Sequence, residues 1–146
     1  MNGNPSETNP YLFNGDIVDR GSWGVEIAVL LFAWKCAFPE HMHVNRGNHE
    51  TKNMNKMYGF EPECNKKYNG NKNVYEFFAD LFTKLPISTC LNEQVLVQHG
   101  GLYAKDGVTL DDIRKTDRFR EPGDSGILCE TLWSDPCDME GRHPSK

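Results

Sequence analysis

Long apolar runs, paired cysteines and a surplus of basic charge are all missing from this sequence of 146 residues, and each absence argues against a class of protein. The most apolar stretch lies within residues 25–38 and is broken by Glu26 and Lys35, so it is too short to span a bilayer. The first ten residues, MNGNPSETNP, are polar and do not read as a secretion signal. The five cysteines, Cys36, Cys64, Cys90, Cys129 and Cys137, are scattered, odd in number and never in a CxxC pair. Reduced thiols fit that pattern better than a disulfide framework or a zinc knuckle, and the expected compartment is intracellular, cytoplasmic or nuclear. The formal net charge of -5 argues against nucleic acid or an anionic membrane as the main partner. Internal repeats and low-complexity segments are absent too. With 38% hydrophobic residues the chain can bury one core, and not two.

What is present is a series of short apolar strands separated by helices. Tyr11, Leu12 and Phe13 predict a strand stopped by Asn14-Gly15-Asp16. Residues 25–34 are apolar on almost every face and predict a buried helix ending near Pro39. Met42, His43 and Val44 predict a second strand, running into Arg46-Gly47-Asn48-His49. Val74, Phe77, Phe78, Leu81, Phe82 and Leu85 recur at the helical period and predict one helix with those residues as its single buried face. Residues 87–91 and 94–98 predict two strands joined by a tight turn at Asn92-Glu93, the second ending at His99-Gly100-Gly101. Thr109 with Asp112 predicts a capped short helix around residues 111–115, and residues 118–126 a charged loop.

Three of these strands end in a glycine turn carrying Asp, Asn or His, and strand ends are where open α/β sheets gather ligands and metals. The turns are therefore expected to converge. Asp16 and Asp19 offer carboxylates, Asn48 an amide oxygen, and His49 and His99 imidazole nitrogens. Mixed oxygen and nitrogen donors suit Mn²⁺, Fe or Zn²⁺ better than Ca²⁺. Arg20 and Arg46 flank these turns, where a guanidinium fork holds phosphate oxygens well. Each motif alone is common in solvated loops. Together, in order and each at a strand end, they make the donor set of metal-assisted phosphoryl transfer.

GDIVDRG at residues 15–21, RGNHE at 46–50, HGGL at 99–102 and LWSDP at 132–136 resemble the phosphoprotein phosphatase family, over essentially the whole chain. The resemblance implies an α/β fold, a metallophosphoesterase-type β-sandwich flanked by helices, with residues 1–146 as a partial catalytic domain incomplete at both ends. It implies hydrolysis of phosphoserine and phosphothreonine in phosphoprotein substrates by metal-activated water, with two divalent ions (Mn, Fe or Zn). By motif position, Asp16 resembles the carboxylate bridging both metals, and Asn48 and His99 ligands of the second. His49 is similar to the general acid, Asp19 to the carboxylate that orients it, and Arg20 to a phosphate-binding arginine. Arg46 is a second phosphate-binding candidate with a less defined role. Tyr58 and Trp133 resemble aromatics beside the substrate groove, with ordinary packing an equal alternative. Glu50 argues against relatives that cleave nucleotides, which carry aspartate there.

NGNPSETNPYLFNGDIVDRG, MYGFEPE and DGVTLDDIRK resemble a branch that also carries a tetratricopeptide-type regulatory region, of which these residues hold no trace. Asn45 stands where the family has an apolar residue, and is expected to disturb only the strand end. The family's opening GDxHG motif, its second phosphate-binding arginine and a further metal-binding histidine lie outside the sequence. The isolated chain is therefore expected to be inactive. The alternative is a non-catalytic phosphatase-like fragment that acts by binding.

Overall fold

Strands β1 (Tyr11–Asn14) and β2 (Met42–Asn45) pair in parallel, Tyr11 against Met42 and Asn14 against Asn45. Parallel neighbours need a crossover, and helix α1 (Gly24–Ala37) supplies it. Because both strands run the same way, the loops that follow them leave from one edge of the sheet. The structure is a computed structural model describing residues 2–144. Strands β3 (Ser88–Leu91) and β4 (Val95–Gln98) form a separate antiparallel hairpin. Its turn falls at the predicted place. Asn92 and Glu93 both take positive φ, 50° and 57°, and the Gln94 N–H donates to the Leu91 carbonyl. That left-handed pair matches the twist of the strands it joins.

No backbone ladder joins the two sheets among the described residues. Side chains do so instead. Asn45, buried at the end of β2, donates to Asn14 Oδ1 (3.0 Å) and to the Val97 carbonyl (3.1 Å), and accepts from Thr89 Oγ1 (2.7 Å). The departure at Asn45 does not disturb the strand end. Its amide is satisfied on both sides and ties β1, β2, β3 and β4 together.

The main core gathers Ile17, Val18, Val25, Ala28, Leu31, Met42, Val44, Phe60, Cys64, Tyr75, Ala79, Phe82 and Leu85. Two sequence expectations need correcting here. Helix α1 is not buried all round, since Ile27, Val29 and Leu30 stay 44–51% exposed. Its partners β2 and α3 meet only the face of Val25, Ala28 and Leu31. Helix α4 (Lys72–Lys84) has the predicted period with another phase. It turns Tyr75, Ala79 and Phe82 inward and leaves Phe77 74% exposed. The reason is Phe60, whose ring lies 6.4, 5.3 and 5.6 Å from those of Tyr75, Phe78 and Phe82. Phe60 meets Tyr75 and Phe78 edge to face and Phe82 at a tilt, and these contacts select the inner face.

Phe60 begins α3 (Phe60–Lys67), which follows α2 (Lys52–Tyr58) directly. Neither helix is long or amphipathic enough to be read from period. α3 is held from outside its own sequence. Its Glu63 accepts the first free N–H groups of α1, at Gly24 (3.2 Å) and Val25 (2.9 Å), and pairs with Lys67 at 2.8 Å. A smaller core of Ile87, Tyr103, Ile113, Leu128 and Leu132 sits under α5 (Leu110–Lys115) and α6 (Ile127–Trp133). α5 carries the expected capping box of Thr109 and Asp112; α6 has no counterpart in the period analysis.

Burial separates the thiols. Cys64 is fully buried on α3, and burial, aided by the Glu63 charge, pushes its thiol up to about 12. Cys36 and Cys90 are exposed. Iodoacetamide at mildly alkaline pH should therefore alkylate Cys36 and Cys90 in the folded protein well before Cys64. Peptide mass spectrometry over a time course checks this, and early labelling of Cys64 would contradict its burial.

Candidate active site

The loops after β1 and β2 approach each other so closely that only glycine fits between them. A Cβ on Gly15 would lie 2.5 Å from Gly47 Cα, and one on Gly47 would lie 2.6 Å from Asp16 Oδ1. Buried Glu50 clamps the pair. Its Oε2 accepts from the Asp16 and Gly47 N–H groups and its Oε1 from Ile17 N–H, each at 2.8 Å. Burial pushes the Glu50 carboxyl above its ordinary value, against the pull of those N–H groups. Asp16, Asp19 and Arg20 all take positive φ, at 56°, 74° and 57°. Each such residue costs roughly 1 kcal/mol, and strain of this kind concentrates at functional sites.

The strained loop delivers Asp19 to His49. Asp19 Oδ2 accepts from His49 Nδ1 at 2.8 Å, with the side chains 0% and 3% exposed. A carboxylate only accepts, so Nδ1 carries the hydrogen of that bond, and Nε2 is the nitrogen left to hold or release a proton. Asp19 Oδ1 accepts from the Phe60 N–H at 2.9 Å, which ties the dyad to the main core. Tyr58 stands edge-on to the His49 ring, centroids 5.1 Å apart, and the exposed Arg20 guanidinium lies 5.0 Å over the Tyr58 ring.

Beside the dyad, Asp16 Oδ1 accepts from the His49 N–H at 3.1 Å and lies 3.3 Å from His99 Nε2. His99 is fixed from the hairpin side, its Nδ1 bonded to the Asn14 carbonyl at 2.7 Å. Asn48 Oδ1 is buried with no hydrogen-bond partner. An orphaned amide oxygen costs about 1–3 kcal/mol unless something accepts its lone pairs. With a carboxylate and an imidazole alongside, that donor set fits a divalent cation. Asp16 and His99 side chains are 35% and 20% exposed, open enough for an ion to reach.

Asp16, Asp19, His49 and His99 thus meet through direct contacts, Asn48 sits beside His49 on the same turn, and Arg20 and Tyr58 stand at the mouth. Arg46 does not join them. It is fully buried; Nε donates to the Glu50 carbonyl (2.9 Å), Nη1 to the carbonyls of Arg118 (3.3 Å) and Arg120 (2.8 Å), and Nη2 to Glu121 (3.2 Å). A guanidinium already engaged on all sides and shut off from solvent does not hold phosphate. Arg46 pins the 118–121 loop beneath the site. Trp133 ends α6, and its backbone packs against the His99 turn, where a Cβ on Gly100 would lie 2.9 Å from its nitrogen. Sequence reasoning missed Asn55, Phe60 and Asn14 as supports of these side chains. None of the three left a local signal, since even the short helix that carries Asn55 is not readable from its period.

A strained carboxylate loop, a His–Asp pair and an amide oxygen at the ends of parallel strands are the marks of a metallophosphoesterase, and the chain belongs to the calcineurin-like phosphoesterase family, matched over residues 1–146. It is 56% identical over its whole length to serine/threonine-protein phosphatase 5 of Rattus norvegicus and 53% identical to serine/threonine-protein phosphatase T of Trypanosoma brucei brucei. Those matches span 29% and 30% of the relatives' own lengths. A solved Saccharomyces cerevisiae protein serine/threonine phosphatase, described as similar to human phosphatase PP5, superimposes with a TM-score of 0.94 at 45% identity. The match covers 99% of this chain and 45% of that one. The metallophosphoesterase fold expected from the motifs is the fold observed.

Proposed function

We propose that this chain supplies part of the active site of a serine/threonine protein phosphatase, hydrolysing phosphoserine and phosphothreonine in protein substrates. The observation that carries the reading is the buried His49–Asp19 pair set against Asp16, Asn48 and His99. Asp16, Asn48 and His99 are the residues that would hold a divalent ion. When bound, such ions (Mn, Fe or Zn) supply an activated water and neutralise phosphate charge. The chain's own residues do the rest. Arg20, exposed above Tyr58, takes phosphate oxygens at the mouth. Asp19 holds His49 Nδ1, so that Nε2 presents a proton to the seryl or threonyl oxygen as it departs. Near-complete burial of the pair keeps that proton from bulk water. A tetratricopeptide region in the full-length protein and an intracellular site of action remain part of this proposal.

Phosphate release from a phosphothreonine peptide, with and without Mn²⁺, tests the reading. The full-length protein that carries this sequence is expected to show metal-dependent turnover. The 146 residues alone, given Mn²⁺ and p-nitrophenyl phosphate, are expected to bind one ion weakly and turn over little, because Asp16, Asn48 and His99 suffice for one ion only. Phosphopeptide binding without release by the full-length protein would favour a binding role instead.

A further inference from the structure

Asn55 lies inside α2, fully buried, where an asparagine gains nothing from helix propensity. Its Nδ2 donates to Asp19 Oδ2 at 3.2 Å and to the His49 carbonyl at 2.6 Å, while its Oδ1 is buried with no partner. Two acceptors around one nitrogen settle which end of the amide is which, and the orphaned oxygen is tolerated to keep that nitrogen in place. Asp19 therefore receives three donors, His49 Nδ1 and Asn55 Nδ2 on one oxygen and Phe60 N–H on the other. From these contacts we propose that Asn55 is a positioning residue for proton transfer, clamping the Asp19 carboxylate and the His49 backbone to each other.

Among the described residues Asn55 hydrogen-bonds to none of Asp16, Asn48 and His99, and it is fully buried. Its donor reaches both halves of the dyad, the carboxylate of one and the backbone of the other. Without it, Asp19 keeps the Phe60 N–H on one oxygen, but the oxygen facing His49 is free to turn. The imidazole then loses the fixed partner that holds Nδ1 and presents Nε2. A residue that merely stabilised α2 would slow all substrates alike. One that acts through the acid slows chiefly those whose leaving oxygen needs a proton.

This inference rests on the reading of His49 as the acid, and the experiment separates the two. In the full-length protein, kcat is measured on p-nitrophenyl phosphate, whose leaving group departs readily as the anion, and on phenyl phosphate, whose leaving group gains more from protonation. The ratio of the two rates does not depend on how much of a preparation is folded. Asn55→Ala is expected to depress phenyl phosphate turnover about tenfold more than p-nitrophenyl phosphate turnover, with metal content unchanged by elemental analysis. The isosteric Asn55→Asp, which turns an acceptor towards Asp19, is expected to do the same. His49→Ala is expected to show a larger shift in the same direction. Equal loss on both substrates in both Asn55 variants, with the shift intact in His49→Ala, overturns the positioning role and leaves the acid. No shift in His49→Ala overturns both.

Discussion

Replacing His49 by alanine in the full-length protein should lower kcat on a phosphothreonine peptide by roughly a hundredfold to ten-thousandfold, the usual worth of a positioned proton donor. Metal content should not change. His49 gives its Nδ1 to Asp19 and its backbone N–H to Asp16, and no atom of its ring stands among the proposed ligands. The imidazole is 3% exposed, so water does not readily replace the lost proton donor. Turnover and elemental analysis on the same preparation separate the two roles. Loss of metal in step with activity would move His49 from the acid to the ligand set, and an unchanged rate would remove it from the chemistry.

The largest effect on stability should come from Glu50→Ala. Three backbone N–H groups, those of Asp16, Ile17 and Gly47, have their acceptor in this one carboxylate. Orphaning a buried donor costs about 1–3 kcal/mol, so the substitution should cost at least about 3–5 kcal/mol, against the 5–15 kcal/mol that holds a typical domain. The strained φ angles of Asp16, Asp19 and Arg20 would lose their restraint at the same time. Glu76→Ala, which removes an exposed partner of Lys52, should change stability by less than about 0.5 kcal/mol. Denaturation midpoints of the two variants compare them directly. Equal midpoints would mean that Glu50 clamps nothing.

The convergence of Asp16, Asn48, His49 and His99 was legible because short apolar strands and glycine turns are local signals, and strand ends are where such turns meet. The hairpin and the Thr109–Asp112 cap were legible for the same reason. Arg46 was not. Its neighbour Gly47 belongs to the site, but three of its four acceptors come from residues 118–121, more than 70 positions away, and nothing local tells which way a strand-end side chain turns. The phase of α4 was lost in the same way, since Phe60 decides it from another helix. Asn45 looked like a defect because its partners Asn14, Thr89 and Val97 are scattered along the chain. Helices α2 and α3 draw their stability from tertiary contacts, so period analysis had little to find.

The seam at Asn14 and Asn45 carries a cost in chain entropy. Bonds from Asn14 to Gln98 and His99 join residues 84 and 85 positions apart. The length-dependent part of closing such a loop is about 4 kcal/mol at room temperature. Among the described residues, four side-chain bonds made at Asn14 and Asn45 cross the seam, Asn14 to Gln98, His99 to Asn14, Asn45 to Val97 and Thr89 to Asn45. At about 1 kcal/mol net each, they do little more than offset that closure. The distance between Asp16 and His99 is thus a property of the whole folded chain, and the two cores that flank the seam are what keep the site's halves in register.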